Sequence, residues 1–170
     1  ALPPLGSVLS FRVRSTDLSG LSVEETFSLG VVSSSIRINE FLANNSNDSL
    51  QDEDGDRPDW IELYNPDGGL VSLNGMYLTD DPTNLTKWPI PNVNLAGGGY
   101  LVIFASSKDR RPTNGDNLHT NFSLNANGEY LALVAADGLT VLSEFGSALE
   151  NYPPQNAGNT FGFFGDPLQS

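Results

Sequence analysis

Along most of this chain, apolar residues recur at about every second position for a few residues and then stop at glycine, proline, asparagine or aspartate. A period of two marks strands with one face turned to a core, and the interruptions supply turns. Val8, Phe11 and Val13, then Phe27, Leu29 and Val31, alternate with polar neighbours on either side of Asp17-Leu18-Ser19-Gly20, which predicts a hairpin over residues 7–33. Ser33-Ser34-Ser35 is a polar break and the expected boundary between units 1–33 and 34–170. Beyond it Ile36, Ile38 and Phe41 open a second series, and strands are predicted over 59–65, 70–78, 86–90, 100–105, 121–124, 130–135, 140–145 and 160–163. Gly97-Gly98-Gly99, Asn114-Gly115, Asn127-Gly128 and Asp137-Gly138 separate several of them. The clearest hairpin joins 130–134 to 140–145 through Asp137-Gly138, a dipeptide that readily takes the positive φ of a tight turn. Many short strands at this spacing predict an all-β, mostly antiparallel sandwich with almost no helix.

Composition agrees with that pattern, since 17 Gly and 11 Pro among 170 residues punctuate a chain that is 38% hydrophobic. The length suits one domain of ordinary size, or one domain carrying a fragment of a neighbour. With 8 Lys+Arg against 21 Asp+Glu the net charge is -13, so phosphate backbones and anionic membranes are repelled and nucleic acid is not an expected partner. Lys108, Arg110 and Arg111 are interrupted by Asp109 and closed by Pro112, and read as a solvated turn. The absence of cysteine removes disulfides, thiolate metal sites and cysteine nucleophiles. No apolar run reaches the roughly 18–20 residues of a membrane helix, so membrane insertion is not expected. Ala1-Leu2-Pro3-Pro4 lacks signal-peptide features. The chain reads as a segment of a longer multidomain protein.

Asp59-Trp60-Ile61-Glu62-Leu63-Tyr64-Asn65 is the stretch around which the rest is organised. With Ile36-Arg37-Ile38-Asn39-Glu40-Phe41, Gly75-Met76-Tyr77-Leu78-Thr79-Asp80-Asp81, Asn84-Leu85-Thr86-Lys87-Trp88, Gly99-Tyr100-Leu101-Val102-Ile103-Phe104-Ala105-Ser106 and Leu118-His119-Thr120-Asn121-Phe122-Ser123-Leu124, it resembles the lamin tail domain family over 36–163, particularly its bacterial members. The resemblance implies an immunoglobulin-like antiparallel β-sandwich. Met76 stands where the pattern most often has tryptophan, a change of local packing only. No coiled-coil rod or nuclear targeting cluster occurs, so a nuclear lamina role is not implied. Residues 11–20 are similar to the end of cadherin-like or fibronectin-type extracellular repeats. A lone hairpin is marginal in water, so 1–33 either packs on the following domain or is the tail of such a repeat, and the tail is the expectation because repeat modules are usually strung in series.

Chemistry has few footholds. Nucleophilic catalysis by a Ser-His-Asp set needs a histidine, and the chain has only His119, with no Gly-x-Ser-x-Gly elbow. Glu40 has no second acid at a fixed spacing, so it reads as a strand residue rather than a glycosidase acid. Trp60 and Trp88 read as packing residues, with a sugar-stacking platform as the alternative. The acidic run from Asp48 to Glu62 holds Asp48, Asp52, Glu53, Asp54, Asp56, Asp59 and Glu62 against Arg57 alone. Such density is costly unless the loop stays open to salt or binds a cation. The EF-hand spacing fails, because counting from Asp52 puts Gly55 fourth and Leu63 twelfth. The first reading is therefore a solvated acidic loop, and the candidate site set beside it binds calcium through Asp52, Asp54 and Asp56, helped by Asp59 and by Asp80 and Asp81 from a loop at the same end of the sandwich. The expected function is a non-catalytic interaction or spacer module of a large secreted or surface-attached bacterial protein, extracellular or at the cell surface, with a protein or glycan partner. A carbohydrate-binding accessory domain of a larger hydrolase is the alternative.

Overall fold

The computed structural model describes residues 8–16, 19–20, 22–30, 36–46 and 50–162. Asp17 and Leu18 of the first turn, Val31, the Ser33-Ser34-Ser35 break, Asp48 and Phe163 lie outside the described residues. The chain divides into two units, Ala1–Ser34 and Ser35–Ser170.

The first unit is one antiparallel hairpin of β1 (Val8–Thr16) and β2 (Ser22–Gly30). Arg12 pairs with Glu24 across it at 3.0 Å. Gly20 takes φ +84 at the turn, a conformation that costs residues with a Cβ.

The second unit is a sandwich. β3 (Arg37–Leu42), β4 (Asp59–Tyr64), β9 (Tyr100–Ala105), β10 (Leu118–His119) and β13 (Phe161–Gly162) form a five-stranded sheet in the order β10-β9-β4-β3-β13. β6 (Tyr77–Thr79), β7 (Trp88–Pro89), β11 (Leu131–Val134) and β12 (Val141–Phe145) form the second sheet in the order β12-β11-β6-β7. β5 (Val71–Ser72) and β8 (Asn94–Leu95) make a short ribbon. The pairings are antiparallel except for β10 beside β9, and no helix occurs among the described residues.

Strand alternation decides what each face buries. Ile38, Phe41, Ile61, Leu63 and Ile103 from the first sheet meet Leu78, Trp88, Leu131, Leu133 and Phe145 from the second in one core. Trp60 lies one position off Ile61 and therefore on the opposite face, where it packs with Leu42 and Phe104 beneath Leu50 and Val102. Both tryptophans are buried, Trp88 fully and Trp60 to 6% exposure.

Three elements depart from the sequence pattern. The predicted strand 70–78 is two strands, β5 and β6, because Asn74-Gly75 makes a turn in which the Met76 amide donates to the Leu73 carbonyl and Gly75 takes φ +81. The predicted strand 121–124 is not a strand. Its neighbour Leu118–His119 pairs instead, parallel to β9, and Ser123 contributes only an isolated bridge to Ser106. β8 was not expected, being two residues long. At Asp137-Gly138 the hairpin forms as its sequence dictates: the Asp137 carboxylate accepts from the Leu139 and Thr140 amides and from the Thr140 hydroxyl, while Gly138 takes φ +69.

Candidate functional site

The loop that leads into β4 is built on Asp52, a buried acid. Its Oδ1 accepts from the Asp54 and Asp56 amides, both at 3.0 Å, and its backbone exchanges hydrogen bonds with Gly55 and Asp56. Gly55 completes the tight turn at φ +80. This winding brings oxygens of Asp52, Asp54 and Asp56 within 4.8 Å of one another.

The ammonium of Lys108 sits among those oxygens. Lys108 Nζ donates to Asp52 Oδ2, to Asp54 Oδ2 at 2.7 Å and to Asp56 Oδ2 at 2.8 Å. Arg110, two residues on, donates to Glu53 Oε1 at 2.6 Å and reaches Asp54 Oδ2 at 2.7 Å. The turn holding these cations has left-handed backbone at Ser107 and Asp109, φ 61 and 50. It is therefore not the freely solvated turn that its short basic run suggested: Lys108 and Arg110 each close on acids more than fifty residues earlier. Arg111 alone keeps to its own turn, bonding Asp109 with its guanidinium 5.9 Å from the Trp88 ring centroid.

Protonation follows this geometry. Burial opposes ionisation of Asp52, but Lys108 and the Asp56 and Asp54 amides outweigh it and hold the carboxyl below its usual range. Lys108 and then Arg110 do the same for Asp54. Glu53 is held well below the carboxylate range by Asn117, its own backbone amide, His119 and Arg110, against partial burial. For Lys108 desolvation works against the charge, and the three aspartates more than offset it, so its pKa rises.

His119 extends the network inward. It is fully buried, stacked on Phe104 at 5.3 Å, with Nδ1 2.8 Å from Ser106 Oγ and Nε2 3.0 Å from both Glu53 oxygens. Ser106 Oγ also accepts from the Lys108 amide at 3.3 Å. Hydroxyl, imidazole and carboxylate thus stand in line as in a nucleophilic relay. Of the amides in the turn that follows Ser106, those of Ser107 and Asp109, which could otherwise face an acyl oxyanion, are committed to the Phe122 and Thr120 carbonyls.

The other three acids assigned to the cation site are elsewhere. Asp59 accepts from the Asn45 amide, and burial raises its carboxyl to about 6, with the Asn45 and Leu124 amides opposing. Asp80 pairs with Lys87. Asp81 Oδ1 accepts from the Thr83 amide and hydroxyl, which lower its pKa.

The family model for the lamin tail domain matches residues 32–146, which include every strand of both sheets but β13, the acidic loop and the Lys108 turn. The chain belongs to the lamin tail domain family. Comparisons with curated proteins and with solved structures return no match.

A second region of this lamin tail domain faces outward on β3, β4 and β9. Register places Arg37, Tyr64 and Tyr100 in one cross-strand row and Glu40, Glu62 and Val102 in the next. Arg37 lies 5.3 Å from the Tyr64 centroid, and Tyr64 stacks on Tyr100 at 4.6 Å. Asn39, the extra residue at the irregular step between Ile38 and Glu40, donates to Glu62 at 2.8 Å. Sequence reasoning gave no role to Lys108, Arg110 or Tyr100. The available signal for the first two was the match between an acidic run and a later basic one; for Tyr100 it was the alternation of Tyr100 and Val102 with Leu101 and Ile103.

Proposed function

We propose that this lamin tail domain is a non-catalytic interaction or spacer module of a large secreted or surface-attached bacterial protein. The observation that carries the reading is the closed state of the His119 network. His119 is fully buried between Ser106 and Glu53, the Lys108 amide already donates to Ser106 Oγ, and the Ser107 and Asp109 amides are committed to carbonyls. The net charge of -13 and a separate strand-pair unit before the sandwich suit a tethered module of a longer chain. In the acidic loop we assign the neutralising cation to Lys108, which holds the place that the spacing of the aspartates suggested for calcium.

The test is turnover of ester and glycoside substrates by the full chain alongside Ser106→Ala and His119→Asn. The expected result is no hydrolysis above background in any of the three. Hydrolysis by the native chain that disappears in both variants would make this an enzyme and overturn the reading. The carbohydrate-binding alternative relied on Trp60 and Trp88 as stacking surfaces, and both are buried. A glycan array is expected to show no sugar whose binding depends on either.

A further inference from the structure

We propose that the outward face of β3, β4 and β9 is the docking surface of this module, and that its partner is a polypeptide segment presenting arginine. The proposal deepens the interaction-module reading and rests on it.

Two features of the face call for a cation. Glu40 and Glu62 are direct cross-strand partners, and like charges placed opposite each other destabilise a sheet. Asn39 donates to Glu62, while the Glu40 carboxylate has no hydrogen-bonding or ionic partner among the described residues. Burial, and then the neighbouring Glu40, push the Glu62 carboxyl up against the opposing effect of Asn39. A guanidinium set between the two would remove the repulsion and satisfy both carboxylates, and the chain's net charge of -13 favours a basic partner at long range.

The aromatic row beside them specifies the kind of cation. Arg37 already caps one end of the Tyr64–Tyr100 stack, whose rings are tilted by only 23°. At the other end Tyr100 is 56% exposed. A planar guanidinium stacks on an aromatic face and bonds carboxylates in a fork, which an ammonium does less well. A polypeptide fits better than a small amine because β9 has a free margin here. β10 pairs only with Ile103 and Phe104, which leaves 100–102 without a strand on the side away from β4 among the described residues. A segment entering over that margin can cross β9 and β4 and set one arginine over Tyr100 and another over the Glu40–Glu62 pair.

The test is titration of the 15N-labelled full chain with the peptide acetyl-Arg-Gly-Arg-Gly-Arg-amide at low salt. Saturable amide shifts are expected at 37–41, 61–64 and 100–103. The double variant Glu40→Gln, Tyr100→Ala should weaken binding by about tenfold or more, a loss of about 1.4 kcal/mol, with its spectrum elsewhere unchanged. Asp116→Asn, an exposed acid far along the chain, should bind as the native protein does, and a peptide carrying neutral citrulline for arginine should give no shifts. Shifts centred on 52–56, or scattered and equal in the double variant, would overturn the proposal. So would equal binding of the citrulline peptide, or shifts at these positions with cellohexaose and none with the arginine peptide. Failure here removes the docking face and its partner; failure of the module reading appears separately, as turnover in the hydrolysis assay.

Discussion

At Lys108 one ammonium answers three carboxylates, and one of those, on Asp52, is buried. Removing the cation leaves that charge uncompensated, so Lys108→Gln should lower stability by about 2 kcal/mol in a chemical melt, whereas Arg111→Gln, whose partner lies in its own turn, should cost much less. Of the acids Lys108 holds, Asp52 and Asp54 have depressed pKa values, so their contribution is present above about pH 4 and is lost as pH falls below that. Asp59 has the opposite sign. Its folded pKa of about 6 exceeds the unfolded value of 3.8, so its contribution is complete below about pH 4 and is lost as pH rises through 6. Comparing native protein with Asp59→Asn across pH 4 to 7 should show that only the native protein loses this increment, about 1–2 kcal/mol after allowing for solvent; parallel curves would contradict the assignment. Trp60→Ala should cost about 3–5 kcal/mol although the residue lies outside the main core, because Leu42, Phe104 and Leu50 enclose it. A loss below about 1 kcal/mol would place it on the surface.

Among the elements, those that announce themselves in the sequence do so by local rules. Asp137-Gly138 forms its turn with its own side chain and its own positive φ, and in β4 the strand period sets Ile61 and Leu63 on the core face, with Trp60 and Glu62 on the other. Asn74-Gly75 carries the same kind of turn signal, yet the apolar residues on both sides masked it and two strands were read as one. Glycines with positive φ also differ by surroundings. A Cβ at Gly55 would meet nothing within 4 Å, while one at Gly128 would lie 2.2 Å from the Tyr152 carbonyl oxygen. Gly55→Ala should therefore cost about 1 kcal/mol and Gly128→Ala clearly more in thermal melts; equal costs would show that backbone strain alone decides. The acidic loop was legible as a cluster that needed a cation, and its three central aspartates do converge. What the sequence could not supply was which other loop meets it. Asp80-Asp81 and Lys108-Arg110 are both on connections between strands, and only the packing of β9 and β10 beside β4 brings the second pair to Asp52.

For the whole molecule, the division at Ser34 and Ser35 makes a simple expectation. A polypeptide beginning at Ser34 should fold and melt cooperatively without β1 and β2, because Ile36, Ile38 and Phe41 already belong to the sandwich core. A molten or insoluble product would show that the hairpin completes that core. Family membership fixes the architecture of the second unit, but a shared fold does not carry a shared function, so function has to be argued from what particular side chains are free to do. The central claim is that the groups most suggestive of metal binding or catalysis are tied to one another, with Lys108 as the cation of the acidic loop. The most direct measurement is the melting temperature of the native chain and of Lys108→Gln, each in millimolar calcium and in chelator. A ligand bound only to the native state raises stability by RT ln(1 + [L]/Kd). The account predicts the same melting temperature for the native chain in both buffers, and a lower one for Lys108→Gln in chelator that calcium partly restores. A native chain whose melting temperature rises in calcium would contradict it.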